Sequence, residues 1–263
     1  MSTNGAWREL VRGTRAVLRT FLLALIAAVP FAVSAAAETP CPAGPGFPLR
    51  VPHLRAALDS RAEGLIVALG SSSTEGAMAS DLAHSYPAEL QAALSASLRR
   101  AHVAVINRGV GGQDAPEELA RLDSDVIAMR PHVVIWQVGA NGALRNADPA
   151  AFRAMVTDGV RRLQAAGADV ILMDNQQSSR ILASVGHEAM AESLAEVATG
   201  TGASLFSRSE LMDAWAQEGE PPAEFLASDG LHQNDRGYLC TAYALAADII
   251  AGLHEKLPLS ASR

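Results

Sequence analysis

Short apolar runs that alternate with helical patterns constrain this chain more than any other feature. The apolar runs, several of them rich in Val and Ile, are Gly64–Leu69, Val103–Asn107, Val133–Val138, Val170–Met173 and Ala203–Phe206. The segments with helical spacing are Tyr86–Arg100, Pro116–Met129, Asp148–Ala166, His187–Thr199 and Asp235–His254. Brief and continuously hydrophobic runs are typical of parallel strands that are buried on both faces of a sheet.

This alternation predicts an α/β fold, a three-layer α/β/α sandwich with a five-stranded parallel sheet in the middle. A larger Rossmann sheet and a partial barrel are the alternatives, and five strands are too few for an eight-stranded barrel. No repeat or internal linker divides the chain, so we expect one domain over residues 51–263. In open α/β sheets, sites form beyond the carboxyl ends of the strands. The loops that begin at Gly70, Asn107, Gly139 and Asp174 are therefore the ones to inspect.

The first 37 residues have the pattern of a secretory signal peptide. Arg8, Arg12, Arg15 and Arg19 precede an apolar run from Phe21, and the segment ends in an Ala-x-Ala pattern at Ala37. An uncleaved membrane anchor is the alternative, because residues 20–37 approach the length that spans a bilayer. Both interpretations place the body of the protein outside the cytoplasm, secreted, periplasmic or anchored to the membrane. Residues 38–50, rich in Pro and Gly, are expected to form a flexible lead-in.

The charge of the chain excludes some classes of partner. Removal of residues 1–37 takes away four arginines and one glutamate, which changes the net charge from −7 to −10. An acidic body with no basic cluster argues against nucleic acid as a partner. It also argues against binding to an anionic membrane surface, which leaves residues 1–37 as the only membrane contact we expect.

Two cysteines, Cys41 and Cys240, remain after that cleavage. In an oxidising compartment such a pair can form one disulfide, which would join the lead-in to the last helix. Two separate thiols are the alternative. Neither cysteine has the spacing of a zinc site.

Four segments carry residues that could perform chemistry. They are Gly70-Ser-Ser-Ser-Thr-Glu-Gly76, Asn107-Arg-Gly-Val-Gly-Gly-Gln113, Gly139-Ala-Asn-Gly142 and Asp229-Gly-Leu-His232. The first fits neither the P-loop nor the dinucleotide fingerprint, and it lacks the Gly-x-Ser-x-Gly elbow. A serine at a helix start can be a nucleophile, since backbone N–H groups stabilise negative charge there. An aspartate three residues before a histidine can hold one ring nitrogen while the other faces a serine.

Together these segments resemble the SGNH/GDSL hydrolases, in the family's order, over residues 64–250. The family's first block, Gly-Asp-Ser-Leu-Thr-x-Gly, matches residues 70–76 and implies that Ser72 is the nucleophile. The second and third blocks imply that Gly112, through its N–H, and Asn141, through its amide, hold the oxyanion together with the N–H of Ser72. The last block, Asp-x-x-His, implies that Asp229 orients His232 as the base. The fold implied is the flavodoxin-like sandwich of that family.

The resemblance implies hydrolysis of carboxylic esters through an acyl-enzyme, with no metal or organic cofactor. It leaves the ester open, although acetyl or other short acyl groups on carbohydrate or lipid are favoured because no long apolar insertion suggests a fatty-acyl lid. An acyltransferase with the same triad and a non-catalytic carbohydrate-binding descendant are the alternatives. Two departures from the family pattern permit the latter: Ser71 and Gly142 replace the aspartates of the first and third blocks.

Other candidates have weaker signals. Asp174-Asn-Gln-Gln177 ends the fourth predicted strand and suits either a substrate contact or a structural turn. Arg145 suits an anionic or sugar group, or a solvated helix entry. Surface or cap roles are expected for His84, His102, His132 and His187, and a core position for Trp136.

Overall fold

The computed structural model describes residues 41–99 and 101–255. The predicted signal peptide at residues 1–37 therefore lies outside the described residues. Residues 41–50 form no helix or strand, but they are attached to the domain at several points. Leu49 is buried, its N–H donates to the carbonyl of Asp248, and the N–H of Phe47 donates to Asp248 Oδ1. The domain boundaries remain a prediction.

The five predicted strands form one sheet. They are β1 (Gly64–Gly70), β2 (Val103–Gly109), β3 (Val133–Gln137), β4 (Asp169–Met173) and β5 (Ser204–Phe206). Every pairing is parallel, and the strand order is β2-β1-β3-β4-β5. The carboxyl ends of β1, β2 and β3 are therefore neighbours at one edge of the sheet.

Within the described residues the helices cover the sheet and fill the loops. They are α1 (Pro52–Asp59), α2 (Ser72–Glu75), α3 (Tyr86–Ser97), α4 (Ala115–Ala120), α5 (Leu122–Asp125), α6 (Ala140–Leu144), α7 (Pro149–Ala165), α8 (Ser179–Leu182), α9 (His187–Thr201), α10 (Arg208–Gln217) and α11 (Asp235–His254). Single 3₁₀ turns lie at Leu82–His84, Ile127–Met129 and Pro222–Phe225. None of the helices described is long and apolar enough to cross a membrane.

Alternate side chains of the strands point into two separate cores. Ile66 and Ile135 contact a core formed with α1, α3, α10 and α11. Val67 and Trp136 contact the opposite core, formed with α4, α5, α7 and α9. Two cores on opposite faces of one parallel sheet make a three-layer sandwich, which confirms the predicted fold class.

The predicted helix Pro116–Met129 is wrong as a single element. The chain turns at Arg121, with φ −106° and ψ 6°, and continues as α5 and a 3₁₀ turn. The guanidinium of Arg121 donates to the carbonyl of Gly70 and to Gln113 Oε1. The bend thus places the guanidinium of Arg121 against the carboxyl end of β1. The spacing of apolar residues in the sequence could not predict this contact.

The predicted disulfide is present. Cys41 and Cys240 are bonded, with their Cα atoms 5.2 Å apart. Cys240 lies in α11 and is buried, so the bridge joins the lead-in to the last helix, as predicted.

Candidate active site

Ser72 is the first residue of α2, in the turn that follows β1. The helix has four residues and ends at Gly76, whose φ of +104° is a left-handed conformation that favours glycine. No acceptor in the described residues pairs with the N–H of Ser72. This hydroxyl and this N–H therefore lie together at the carboxyl end of the central strands.

The loop before α11 brings an imidazole to that hydroxyl. His232 Nε2 lies 2.8 Å from Ser72 Oγ, and His232 Nδ1 lies 2.6 Å from Asp229 Oδ2. Because an ionised carboxylate only accepts hydrogen bonds, Nδ1 carries the hydrogen and Nε2 is free to accept from the serine. The three residues, 160 positions apart in the chain at their widest, thus form a continuous chain of hydrogen bonds.

Asp229 is held in its ionised form by the loop itself. Its Oδ1 accepts from the N–H groups of Leu231 and His232, each at 3.0 Å. Partial burial opposes ionisation, but these N–H groups and the imidazole together hold the pKa of the carboxyl below its usual value. A carboxylate in this state can fix the tautomer of the histidine.

The loop after β2 packs tightly on α2. Asn107 Nδ2 donates to the carbonyl of Thr74 at 2.8 Å, and Asn107 Oδ1 accepts from the N–H of Gly109. A Cβ atom at Gly109 would lie 2.1 Å from the backbone nitrogen of Glu75, so only glycine permits this approach. A Cβ atom at Gly111 would lie 3.9 Å from that of Ser72. The loop that carries Gly112 is therefore adjacent to the serine.

Gly112 has φ +78°, and no acceptor in the described residues pairs with its N–H. Its carbonyl accepts from Arg145 Nη2 at 2.7 Å, and the next carbonyl, of Gln113, accepts from Asn141 Nδ2 at 2.7 Å. Asn141 and Arg145 lie in and just after α6, which follows β3. One amide hydrogen of Asn141 is used in this contact, and the other remains for a ligand.

Both departures from the family pattern have a structural counterpart. Ser71 is buried, and its N–H and hydroxyl both donate to Gln137 Oε1, at 3.3 and 3.2 Å. At Gly142, a Cβ atom would lie 3.2 Å from Asp114 Oδ2, so the carboxylate of another loop lies beside the position. Sequence reasoning missed Gln137 and Asp114. Gln137 did leave a signal, because it is the one polar residue in the run Val133–Val138.

The segment after β4 is a buried polar turn. The carboxylate of Asp174 accepts from the hydroxyls of Ser207 and Ser209 and from the N–H of Arg208. Burial raises the pKa of this carboxyl. Gln176 Nε2 donates to the carbonyl of Leu231 at 2.7 Å, which connects the turn to the loop that carries His232.

The remaining candidates have structural contacts. Trp136 is fully buried, as predicted, and its Nε1 donates to Glu118 Oε2 at 2.7 Å. His132 Nδ1 accepts from the N–H of Leu65, and His84 Nδ1 lies 3.0 Å from Glu89. Among residues 41–99 and 101–255 there is no group of three or more His, Cys, Asp or Glu side chains arranged to hold a metal ion.

Known structures share this arrangement of strands and helices. A two-domain esterase active on acetylated mannans matches with a TM-score of 0.68 and 19% identity, over 81% of this chain and 58% of that one. An acetylxylan esterase from Geobacillus stearothermophilus matches with a TM-score of 0.61 and 20% identity, over 71% of this chain and 94% of that one. A structure from Desulfitobacterium hafniense, named as a putative lipolytic protein of the G-D-S-L family, also matches. Its TM-score is 0.55 at 20% identity, over 70% of this chain and 98% of that one.

These neighbours, at 19–20% identity, show that the fold is shared. A family model confirms the resemblance to hydrolases of the SGNH/GDSL type that the four motif segments indicated. A comparison with curated proteins gives no match. The model of the non-GDSL lipase-like family matches residues 41–255, and the chain belongs to that family. The family is described as non-GDSL, and this chain indeed lacks the Gly-Asp-Ser-Leu sequence, because Ser71 stands in place of the aspartate.

Proposed function

We propose that this protein is an exported serine esterase that hydrolyses carboxylic esters through an acyl-enzyme on Ser72. The observation that carries the proposal is the hydrogen-bonded chain from Asp229 through His232 to Ser72, with distances of 2.6 and 2.8 Å. A serine, a histidine and an ionised carboxylate in this order are the parts of a nucleophilic catalyst.

The reaction follows from the role of each group. His232 Nε2 takes the proton of Ser72 as Oγ attacks the ester carbonyl, and Asp229 stabilises the imidazolium that forms. The N–H groups of Ser72 and Gly112 and the second amide hydrogen of Asn141 hold the oxyanion of the tetrahedral intermediate. Loss of one such donor typically costs about 2.7–4 kcal/mol of transition-state stabilisation. His232 then protonates the leaving alcohol, and water attacks the acyl-enzyme by the same route in reverse.

The acyl group is proposed to be acetyl or another short chain, carried on a carbohydrate or lipid. The names of the neighbours, which include esterases of acetylated mannans and of acetylxylan, support the carbohydrate ester. Export is supported by the pattern of residues 1–37 and by the Cys41–Cys240 disulfide, a bond that persists in oxidising compartments. If a sugar hydroxyl replaces water in the second step, the same acyl-enzyme gives acyl transfer.

Hydrolysis of p-nitrophenyl acetate, butyrate and octanoate by the wild type and by Ser72→Ala tests the proposal. We expect turnover that is fastest with acetate and absent in Ser72→Ala. Ser73→Ala is the matched control, because Ser73 is the next residue of α2 and makes no hydrogen bond to His232 in the described residues. Activity that survives in Ser72→Ala would refute the assignment of the nucleophile.

A further inference from the structure

A cavity of about 200 Å³ lies at the carboxyl end of β4, between the turn that follows this strand and the start of α9. Its walls come from the β4–α8 turn, from α8 and α9, and from the first turn of α10. The lining residues on which the argument depends are Asn175, Gln176, Ile181, Leu182, Glu188 and Ala191. The reaction proposed above does not use any of them.

The cavity adjoins the loop that carries His232. Gln176, in its wall, donates to the carbonyl of Leu231 at 2.7 Å, and Ser179 Oγ donates to the carbonyl of Gly230 at 3.3 Å. Ile181, also in its wall, packs with Leu231 and Ala140 in a small apolar cluster. Leu231 directly precedes His232, and Ala140 directly precedes Asn141. The cavity therefore lies beside the segments that carry His232 and Asn141.

The walls contain hydrogen-bonding groups without partners. Asn175 is 5% exposed, and neither its Nδ2 nor its Oδ1 has a partner in the described residues. Gln176 is 2% exposed, and its Oε1 likewise has none. Buried amides are nearly always paired, because leaving one unpaired costs free energy of folding. A ligand that both donates and accepts hydrogen bonds would remove this cost.

The chemistry of the walls selects among ligands. An acyl chain would leave the amides of Asn175 and Gln176 unpaired, whereas sugar hydroxyls can pair with both donors and acceptors. Glu188, exposed at the start of α9, disfavours an anionic ligand. Ile181 and Leu182 provide an apolar wall for the C–H face of a sugar ring. A neutral sugar satisfies all of these conditions.

We propose that this cavity is a subsite for a neutral sugar residue of the substrate, next to the residue that carries the ester. The proposal rests on the proposed esterase activity and names the alcohol side of its substrate as a neutral oligosaccharide. The subsite binds the sugar by hydrogen bonds from Asn175 and Gln176 and by contact with Ile181 and Leu182.

The first test compares two substrates in the full-length protein. Ala191→Leu fills the cavity from α9, and Asn175→Leu removes the unpaired amide at similar size. In both variants we expect kcat/KM for acetylated xylo-oligosaccharides to fall at least tenfold more than kcat/KM for p-nitrophenyl acetate, mainly through KM. Ala195→Leu, a further alanine of α9 that does not line the cavity, is the matched control and should leave both values unchanged.

Thermal unfolding shows whether the variants act through folding. Because Asn175 makes no side-chain hydrogen bond within the described residues, Asn175→Leu should not lower the melting temperature. Equal losses on the two substrates, or no loss on either, would overturn the subsite.

Direct binding separates this proposal from the proposed activity. Titration of Ser72→Ala with non-acetylated xylotetraose, followed by NMR, should show binding that is lost in Ser72→Ala/Ala191→Leu. Such binding without any Ser72-dependent hydrolysis in the wild type would refute the esterase and keep the subsite. Hydrolysis without binding, or binding that Ala191→Leu leaves intact, would refute the subsite and keep the esterase.

Discussion

At the scale of single residues, Gly142 is a position where an added side chain would crowd its neighbours. A Cβ atom there would lie 3.2 Å from Asp114 Oδ2 and 3.3 Å from the sulfur of Met190. Asp114 belongs to the loop after β2, where its N–H donates to Glu117 Oε2. Burial raises the pKa of its carboxyl. The site thus has a carboxylate beside Asn141, although it comes from another loop than in the family pattern.

Restoring the family's aspartate at position 142 should therefore harm the protein. Gly142→Asp would place a second carboxylate against Asp114, whereas Gly142→Asn adds the same bulk without the charge. We expect both variants to lose about 1–3 kcal/mol through overpacking, and Gly142→Asp to lose more at pH 7. The difference should shrink as pH falls, because protonation removes the repulsion between the carboxyls. Urea unfolding at pH 7 and pH 4 measures the difference in stability between the two variants. If Gly142→Asp were as stable as Gly142→Asn at pH 7, repulsion from Asp114 would be refuted.

The sequence motifs could predict the residues of the candidate site, but they could not predict the hydrogen bonds from other loops that hold these residues in position. Ser72, Gly112, Asn141, Asp229 and His232 each lie in a short motif whose order along the chain is itself a signal. The contacts that hold these motifs together cross between loops. Arg145 to Gly112 and Ser71 to Gln137 are pairs whose members lie far apart in sequence. A motif describes its own loop and carries no information about what packs against it.

At the scale of elements, the strands were predictable because burial on both faces leaves a continuous apolar run. β1 ends one residue later than predicted, at Gly70, and β3 ends one residue earlier, at Gln137. The break at Arg121 was not predictable, because apolar residues continue at helical spacing across it, from Leu119 to Leu122. The bend depends on a side chain that bonds to another element.

α4 also buries an acid against the sheet. Glu118 is fully buried, accepts from Trp136 Nε1, and has no partner for Oε1 in the described residues. Burial raises the pKa of Glu118 to about 8. Between its usual pKa of 4.5 and this value, the unfolded chain releases a proton that the folded protein keeps. The stability that this group contributes is therefore complete below pH 4.5 and is lost as pH rises toward 8.

Glu118→Gln should remove the pH dependence of stability that Glu118 causes. We expect the free energy of unfolding of the variant, relative to the wild type, to rise between pH 5 and pH 8, on the order of a few kcal/mol. Urea unfolding across this range measures the difference. A difference that stays constant across this range would mean that Glu118 is ionised in the folded protein.

At the scale of the whole molecule, the Cys41–Cys240 disulfide links two positions near opposite ends of the domain. Cys41 and Cys240 are separated by 199 residues, so the disulfide restricts a very long loop of the unfolded chain. Cys41→Ser/Cys240→Ser should lower the free energy of unfolding by about 2–5 kcal/mol. Denaturant unfolding of the double variant and of the reduced wild type should agree. Equal stability of the oxidised and the disulfide-free protein would contradict this expectation.

The central claim is that Ser72 is a nucleophile activated by His232. The most direct measurement is covalent labelling of the native protein with a fluorophosphonate, followed by mass spectrometry of the intact protein and its peptides. The account predicts one label per chain, on the peptide that contains Ser72, with much slower labelling in His232→Ala and none in Ser72→Ala. No label, or a label on another residue, would contradict the account and leave the fold without a demonstrated catalytic serine.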